Sequence, residues 1–145
     1  MAKFNKNSLE KLKKLHPDLQ QILLIAIKIT DFSILDSLRD EQAQQKAVSN
    51  KRSKVDYPNS KHNRSKQNNG TYDNNKSDAF DIVPYPIQWP DIRKQTTRDY
   101  VKRMGRFYFL SGVIKAIAYS LNIKIKWGGD FKNFFDGPHY ERIVK

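Results

Sequence analysis

At 145 residues the chain suits one domain with one core. It has no cysteine, which excludes a disulfide framework and any thiolate metal site, so a metal centre must use His, Asp or Glu. Its 27 Lys+Arg against 15 Asp+Glu give a net charge of +12, which attracts polyanions: nucleic acid, anionic cell wall or anionic lipid.

Asn7 with Glu10 three residues on has the form of a capping box, and Leu9, Leu12 and Leu15 mark a short helix face. His16 precedes Pro17 at a second helix start, where capping accounts for it. Leu19, Ile22, Leu23, Ala26 and Ile27 give that helix its apolar face. Phe32 and Ile34 alternate as a short strand ending near residues 37–39. Residues 40–49 are good helix formers with little apolar surface, so this helix is expected to be largely exposed. Residues 50–78 are nearly all polar, show no apolar periodicity and predict a long, mobile loop. A loop of that length in a small domain points to function. Ala79-Phe80-Asp81-Ile82-Val83 reads as a buried strand, stopped by Pro84-Tyr85-Pro86, with Trp89-Pro90 in a connector. The longest helix is expected over residues 97–121, with Phe107, Leu110, Val113, Ile114, Ile117 and Leu121 on its stronger apolar face. Asn122 ends it. Ile123, Ile125 and Trp127 then alternate as a strand, and residues 140–144 predict a last edge strand. The element order predicts an α+β fold, a small and mostly antiparallel sheet packed with helices.

Three features carry chemistry. His62 lies in the polar segment, where a solvated loop histidine is the simplest reading. Asp81 is an acid inside an apolar strand; buried and unpaired it would cost several kcal/mol. It must therefore face solvent, pair with a cation or bind a metal. Asp136 and His139 stand three apart around Gly137 and Pro138, a spacing that aims a carboxylate and an imidazole into one site and equally fits a structural hydrogen bond. Two histidines and a carboxylate, with a second carboxylate beside the last histidine, make up a catalytic zinc set. Three ligands hold the ion and leave a place for water, and the extra acid serves as general base.

The ordered motifs carry a family resemblance. Ser60-x-His62, Ala79-x-Asp81 followed by Val83-Pro84-Tyr85, Trp127-Gly128-Gly129-Asp130 and Asp136-x-Pro138-His139 resemble the zinc DD-peptidase superfamily, which includes D-Ala-D-Ala dipeptidases and carboxypeptidases. The last two motifs, with His16-Pro17-Asp18-Leu19 and Ser37-Leu38-Arg39 ahead of Gln44, resemble one branch, the phage L-alanyl-D-glutamate endopeptidases, which are endolysins. The similarity covers roughly residues 8–141. It implies His62, Asp81 and His139 as zinc ligands and Asp136 as the catalytic acid/base. It implies Arg39 as the group that polarises the substrate or stabilises the oxyanion. Gln44, Ser60, Trp127 and Asp130 fall at supporting positions, with a helix-start cap as the alternative for Asp130. The implied activity is hydrolysis of the L-Ala–D-Glu amide of the peptidoglycan stem peptide by a single catalytic domain spanning residues 1–145.

One departure stands out. The family pattern places six residues between the first two ligands, whereas eighteen separate His62 from Asp81. This reads as a polar insertion at about residues 64–78 beside the metal, which slowly growing loop entropy allows. Within it Asp73, Asn75, Ser77 and Asp78 have the oxygen-ligand spacing of a calcium loop, without its glycine and distal glutamate. Calcium in that loop is a further expectation, in line with the calcium-regulated members of the branch. No run of about 18 apolar residues is present and the amino terminus lacks a signal-peptide core. The expectation is synthesis in the host cytoplasm and action at the wall, in the periplasm, after release, as a monomer drawn by its charge to the anionic envelope. Two alternatives stay open: a D-Ala-D-Ala carboxypeptidase or dipeptidase, and a basic nucleic-acid-binding module using residues 51–54 and 61–66.

Overall fold

A computed structural model describes residues 1–144. Among the described residues four helices surround a four-stranded antiparallel sheet, with a separate two-stranded hairpin beside it. Helix α1 (Lys6–Lys13) is capped by Asn5, whose side chain accepts from Ser8 N at 2.8 Å. The expected Asn7/Glu10 box is thus displaced: the helix begins two residues earlier, and Asn7 lies inside it. Leu12 and Leu15 are buried, whereas Leu9 faces solvent. Helix α2 (Pro17–Ala26) starts as expected, with His16 Nδ1 accepting from Asp18 N at 3.1 Å. Its face of Leu19, Ile22, Leu23 and Ala26 is wholly buried. Helix α3 (Glu41–Ser49) is exposed apart from Gln44, Ala47 and the half-buried Val48.

The sheet runs β1 (Phe32–Asp36), β4 (Ala79–Pro84), β6 (His139–Arg142), β5 (Ile125–Trp127). The final strand therefore lies between two others instead of at an edge. Tyr140 and Arg142 both point inward, and the burial of Arg142 against Asp78 is what an apolar alternation rule misses. Helix α4 (Thr97–Ser120), capped by Thr96, lays Phe107, Leu110, Ile114 and Ile117 into the core. It stops at Asn122, which adopts the left-handed φ of 56° that asparagine tolerates. That core is completed by Phe80, Ile82, Trp127 and Tyr140.

Residues 50–78 are more structured than a loop. They contain the hairpin β2 (Ser65–Lys66) and β3 (Tyr72–Asp73), and they bury His62, Asn63, Ser65, Ser77 and Asp78. Ser77 ties the returning chain to the α1–α2 junction through Ser77 N to Lys14 O at 2.8 Å and His16 N to Ser77 O at 2.9 Å. Asp78 accepts from Arg142 Nε at 2.9 Å, Ser65 Oγ at 2.9 Å and Lys66 N at 2.8 Å. The residues expected to line a calcium loop have other partners here. Asp78 is spent on Arg142, the Ser77 hydroxyl donates to Ala79 O, and Asp73 accepts from the backbone of Asn75 in a turn. Among the described residues the one group of three or more His, Asp or Glu side chains that could hold a metal ion is His62, Asp81 and His139.

Candidate metal centre and active site

The sheet register places Asp36, Asp81 and His139 in one row, as cross-strand partners on β1, β4 and β6. A bulge at Leu35 makes this possible, since Ile34 faces Ile82 while Asp36 already faces Asp81. Two carboxylates side by side repel, and Arg39 lies between them. Its Nε donates to Asp36 Oδ2 and its Nη2 to Asp81 Oδ2 at 3.3 Å. That leaves Asp81 Oδ1 for the histidines, at 3.0 Å from His139 Nδ1 and 3.4 Å from His62 Nε2.

His62 comes from the polar segment and is 2 % exposed. Its Nδ1 donates to Ser37 O at 2.6 Å, which fixes the tautomer because a carbonyl only accepts. Nε2 is thereby turned to the centre, 3.3 Å from His139 Nδ1. His139 is oriented in the same way, its Nε2 held at 3.2 Å by Glu141 Oε2. Tetrahedral ligands at about 2.0–2.2 Å from an ion stand roughly 3.4 Å from one another, and the three donor atoms meet that spacing. Two imidazole nitrogens and one carboxylate oxygen, each backed by an outer hydrogen bond, fit a divalent metal.

The electrostatics follow from this crowding. Burial opposes charge on Asp81, but the histidines, through charge and hydrogen bonds, outweigh it and hold the carboxyl far below its usual range. Burial likewise disfavours charge on His139; hydrogen bonds to Asp81 and Glu141 prevail, and its pKa rises to about 9. Asp136 moves the other way. Burial raises it first, and the negative Asp81 raises it further.

Asp136 is positioned by the tryptophan-glycine motif. Trp127 is buried and its Nε1 donates to Gly137 O at 2.7 Å. Asp136 N donates to Gly128 O at 3.0 Å. A Cβ on Gly128 would stand 2.3 Å from Asp136 O, so only glycine lets the two backbones meet. Asp130 ends a 3-10 turn (Gly128–Asp130) instead of capping a helix, and pairs with Lys115 Nζ of α4 at 2.6 Å. Lys115 also lies 5.0 Å over the Trp127 ring. Gln44 is fully buried, with Nε2 donating to Val55 O at 2.6 Å and Ser53 Oγ at 2.9 Å while Oε1 accepts from Asn63 Nδ2 at 3.2 Å. Ser60 Oγ accepts from His62 N at 3.2 Å.

His62, Asp81, His139, Asp136 and Arg39 share one cleft of about 870 Å³. Sequence reasoning missed two of its groups. Glu141 was readable as the second residue after His139, on the same face of a strand. Asp36 was hidden by the bulge, which breaks the period of two. His16, the third histidine, stays at its cap.

The chain matches the family described as phage L-alanyl-D-glutamate peptidase over residues 1–143. Its structure is similar to the crystal structure of Serratia marcescens L-Ala D-Glu endopeptidase ChiX, with a TM-score of 0.67 and 24% identity over 97% of this chain and 89% of that chain. No curated protein matches the sequence. At that identity the structural likeness speaks for the fold, while the family match spans nearly the whole chain and meets a cleft whose His62, Asp81 and His139 could hold a metal ion. This chain belongs to the phage L-alanyl-D-glutamate peptidase family and is a peptidoglycan endopeptidase of the phage lysis type.

Proposed function

We propose that the chain cleaves the L-Ala–D-Glu amide of the stem peptide with one zinc ion held by His62 Nε2, Asp81 Oδ1 and His139 Nδ1. The observation that carries this reading is the convergence of those three atoms, each 3.0–3.4 Å from the others, beside an acid that none of them binds. When bound, the ion supplies a Lewis acid that polarises the scissile carbonyl and acidifies the attacking water. Asp136 takes the proton from that water as the C–O bond forms. It then delivers the proton to the D-Glu nitrogen as the C–N bond breaks. Its raised pKa suits a group that must both accept and return a proton. Arg39 orients Asp81 and adds positive potential at the cleft floor, which favours the developing oxyanion. Gln44, Ser60, Trp127 and Asp130 support these groups without touching substrate.

The enzyme works as a single catalytic domain and a monomer, reaching the wall from the host interior after release. No helix among the described residues is long and apolar enough to cross a membrane. The net charge of +12 draws it to anionic envelope polymers. Wall binding therefore weakens between about 0.05 and 0.3 M salt, as the Debye length shrinks from roughly 14 Å to roughly 6 Å. The activity test is chelation followed by zinc, read by mass spectrometry of digested peptidoglycan. Activity is lost and regained, with fragments ending in L-Ala and new amino-terminal D-Glu. Full activity in chelator, or cleavage at a different bond, contradicts the reading.

A further inference from the structure

The segment after α3 places three cations in the lining of the cleft, Lys51, Arg52 and Lys54. All three residues are exposed, and among the described residues none pairs with a carboxylate. The acids of the cleft are engaged elsewhere or assigned to the chemistry: Asp36 and Asp81 hold Arg39, Glu141 holds His139, and Asp136 faces the reacting centre. A third lysine of the lining, Lys61, is taken up by Arg142 O at 3.1 Å. Lys51, Arg52 and Lys54 are thus cations in a concave site with no internal partner.

Their backbone is held in place. Arg52 N and Ser53 N both donate to Ala47 O, at 2.8 and 3.1 Å, closing the end of α3. Gln44, without solvent exposure, grips Ser53 and Val55 on one side and Asn63 on the other. The cationic segment is therefore tied to the loop that carries His62. Lys51 has a φ of 57°, the left-handed conformation at a helix end where glycine is the easy choice. A lysine there accepts conformational strain to present a cation to the cleft.

The substrate has anions on one side of the scissile bond only. Glutamate has two carboxyl groups; the peptide continues through one and leaves the other free, close to the nitrogen that departs. The L-Ala side, joined to the sugar by an amide, carries no charge. The same stem position also occurs as the carboxamide, D-isoglutamine, which has the shape of the acid without its charge.

Resting on the peptidase reading above, we propose that Lys51, Arg52 and Lys54 form a carboxylate subsite for the D-Glu side of the stem peptide, and that this subsite selects D-glutamate over D-isoglutamine. A charge-assisted hydrogen bond to that carboxylate is worth about tenfold or more in kcat/KM, appearing chiefly in KM. Surface screening makes the preference shrink as salt is added.

The test uses the full chain loaded with zinc and two synthetic stem peptides that differ only in a carboxylate or carboxamide on the D-Glu residue. Wild type is expected to favour the acid about tenfold or more. The triple variant Lys51→Gln, Arg52→Gln, Lys54→Gln should lose that preference while keeping its rate on the carboxamide peptide, which reports an intact site. A control removing the same charge elsewhere, Lys3→Gln, Lys28→Gln, Lys124→Gln, should keep the preference. Equal cleavage of both peptides by wild type overturns the subsite and leaves the peptidase reading standing; cleavage of neither overturns both. A triple variant that keeps the preference but loses binding to duplex DNA at about 0.15 M salt would assign these cations to nucleic acid and overturn the proposal.

Discussion

Asp81 and His139 reach the site on neighbouring strands of the sheet, whereas His62 reaches it from a turn of the polar segment, outside any strand. The first pair is placed by backbone hydrogen bonds and by a core of Phe80, Ile82, Trp127 and Tyr140 packed beneath it. His62 is placed by polar contacts: the Ser60 hydroxyl on its backbone, the Asn63 and Gln44 side chains behind it, and the Ser37 backbone carbonyl on its ring. A polar loop can therefore hold a histidine as firmly in the cleft as a strand does. Apolar burial is replaced by a satisfied polar network, in which each member depends on all the others. The strand half should fail through packing and the loop half through hydrogen bonding.

The largest effect is expected on the strand half. Ile114 is fully buried under the sheet, and Ile114→Asp places an unpaired carboxylate there, a loss of at least about 4 kcal/mol that should abolish soluble expression. A soluble variant with wild-type melting would move that face of α4 out of the core. On the loop half, Gln44→Ala strips partners from Asn63, Ser53 and Val55 together. A loss of about 1–3 kcal/mol in denaturant unfolding is expected, with weaker metal retention. Unchanged metal affinity would show that His62 is held without that network.

Within the strand half the ionisable groups respond to pH in opposite senses. In chelated protein His139 has a pKa of about 9 against an ordinary 6.5, so the stability it contributes is complete below 6.5 and is lost as pH rises through about 9. The depressed carboxyls Asp81 and Glu141 act in the opposite sense: their contribution is present above the ordinary carboxylate range and is lost as the solution is acidified. Melting of the chelated protein should therefore fall as pH rises from about 6.5 to about 9.5. Metal uptake at about pH 7 should release about one proton, since a ligand nitrogen must be free. Calorimetry in buffers of different ionisation enthalpy measures this. Uptake without proton release would contradict the assignment of His139 Nδ1 as a ligand.

The same contrast governs what was legible in the sequence. Helical spacing revealed the faces of α2 and α4, and Asp81 stood out as an acid in an apolar strand. The ordered motifs pointed to the family from residue identity alone. The polar segment was opaque because its anchors are Ser, Asn, Gln and Asp, residues that composition assigns to solvent. Its hairpin has strands of two residues, too short for a period. Strand β6 looked like an edge because its inward Arg142 is charged, and the acids that neutralise it, Asp78 and Asp18, lie far away in the chain. The pairing with Arg142 also turns Asp78 inward, which the oxygen-ligand spacing of residues 73–78 did not show. Trp127-Gly128-Gly129 was visible as a motif, but its task of seating Asp136 depends on a close backbone approach that residue identity does not display.

The proposed division of labour gives the ion to three residues and the proton to Asp136. Metal content and release of new amino termini from purified peptidoglycan, measured together on Asp136→Ala, test it most directly. The account predicts near-normal zinc with turnover lowered by about 10²–10⁴ or more, and no improvement with Asn. Lost zinc in Asp136→Ala, or retained turnover there alongside an inactive, metal-loaded Asp130→Ala, would contradict it.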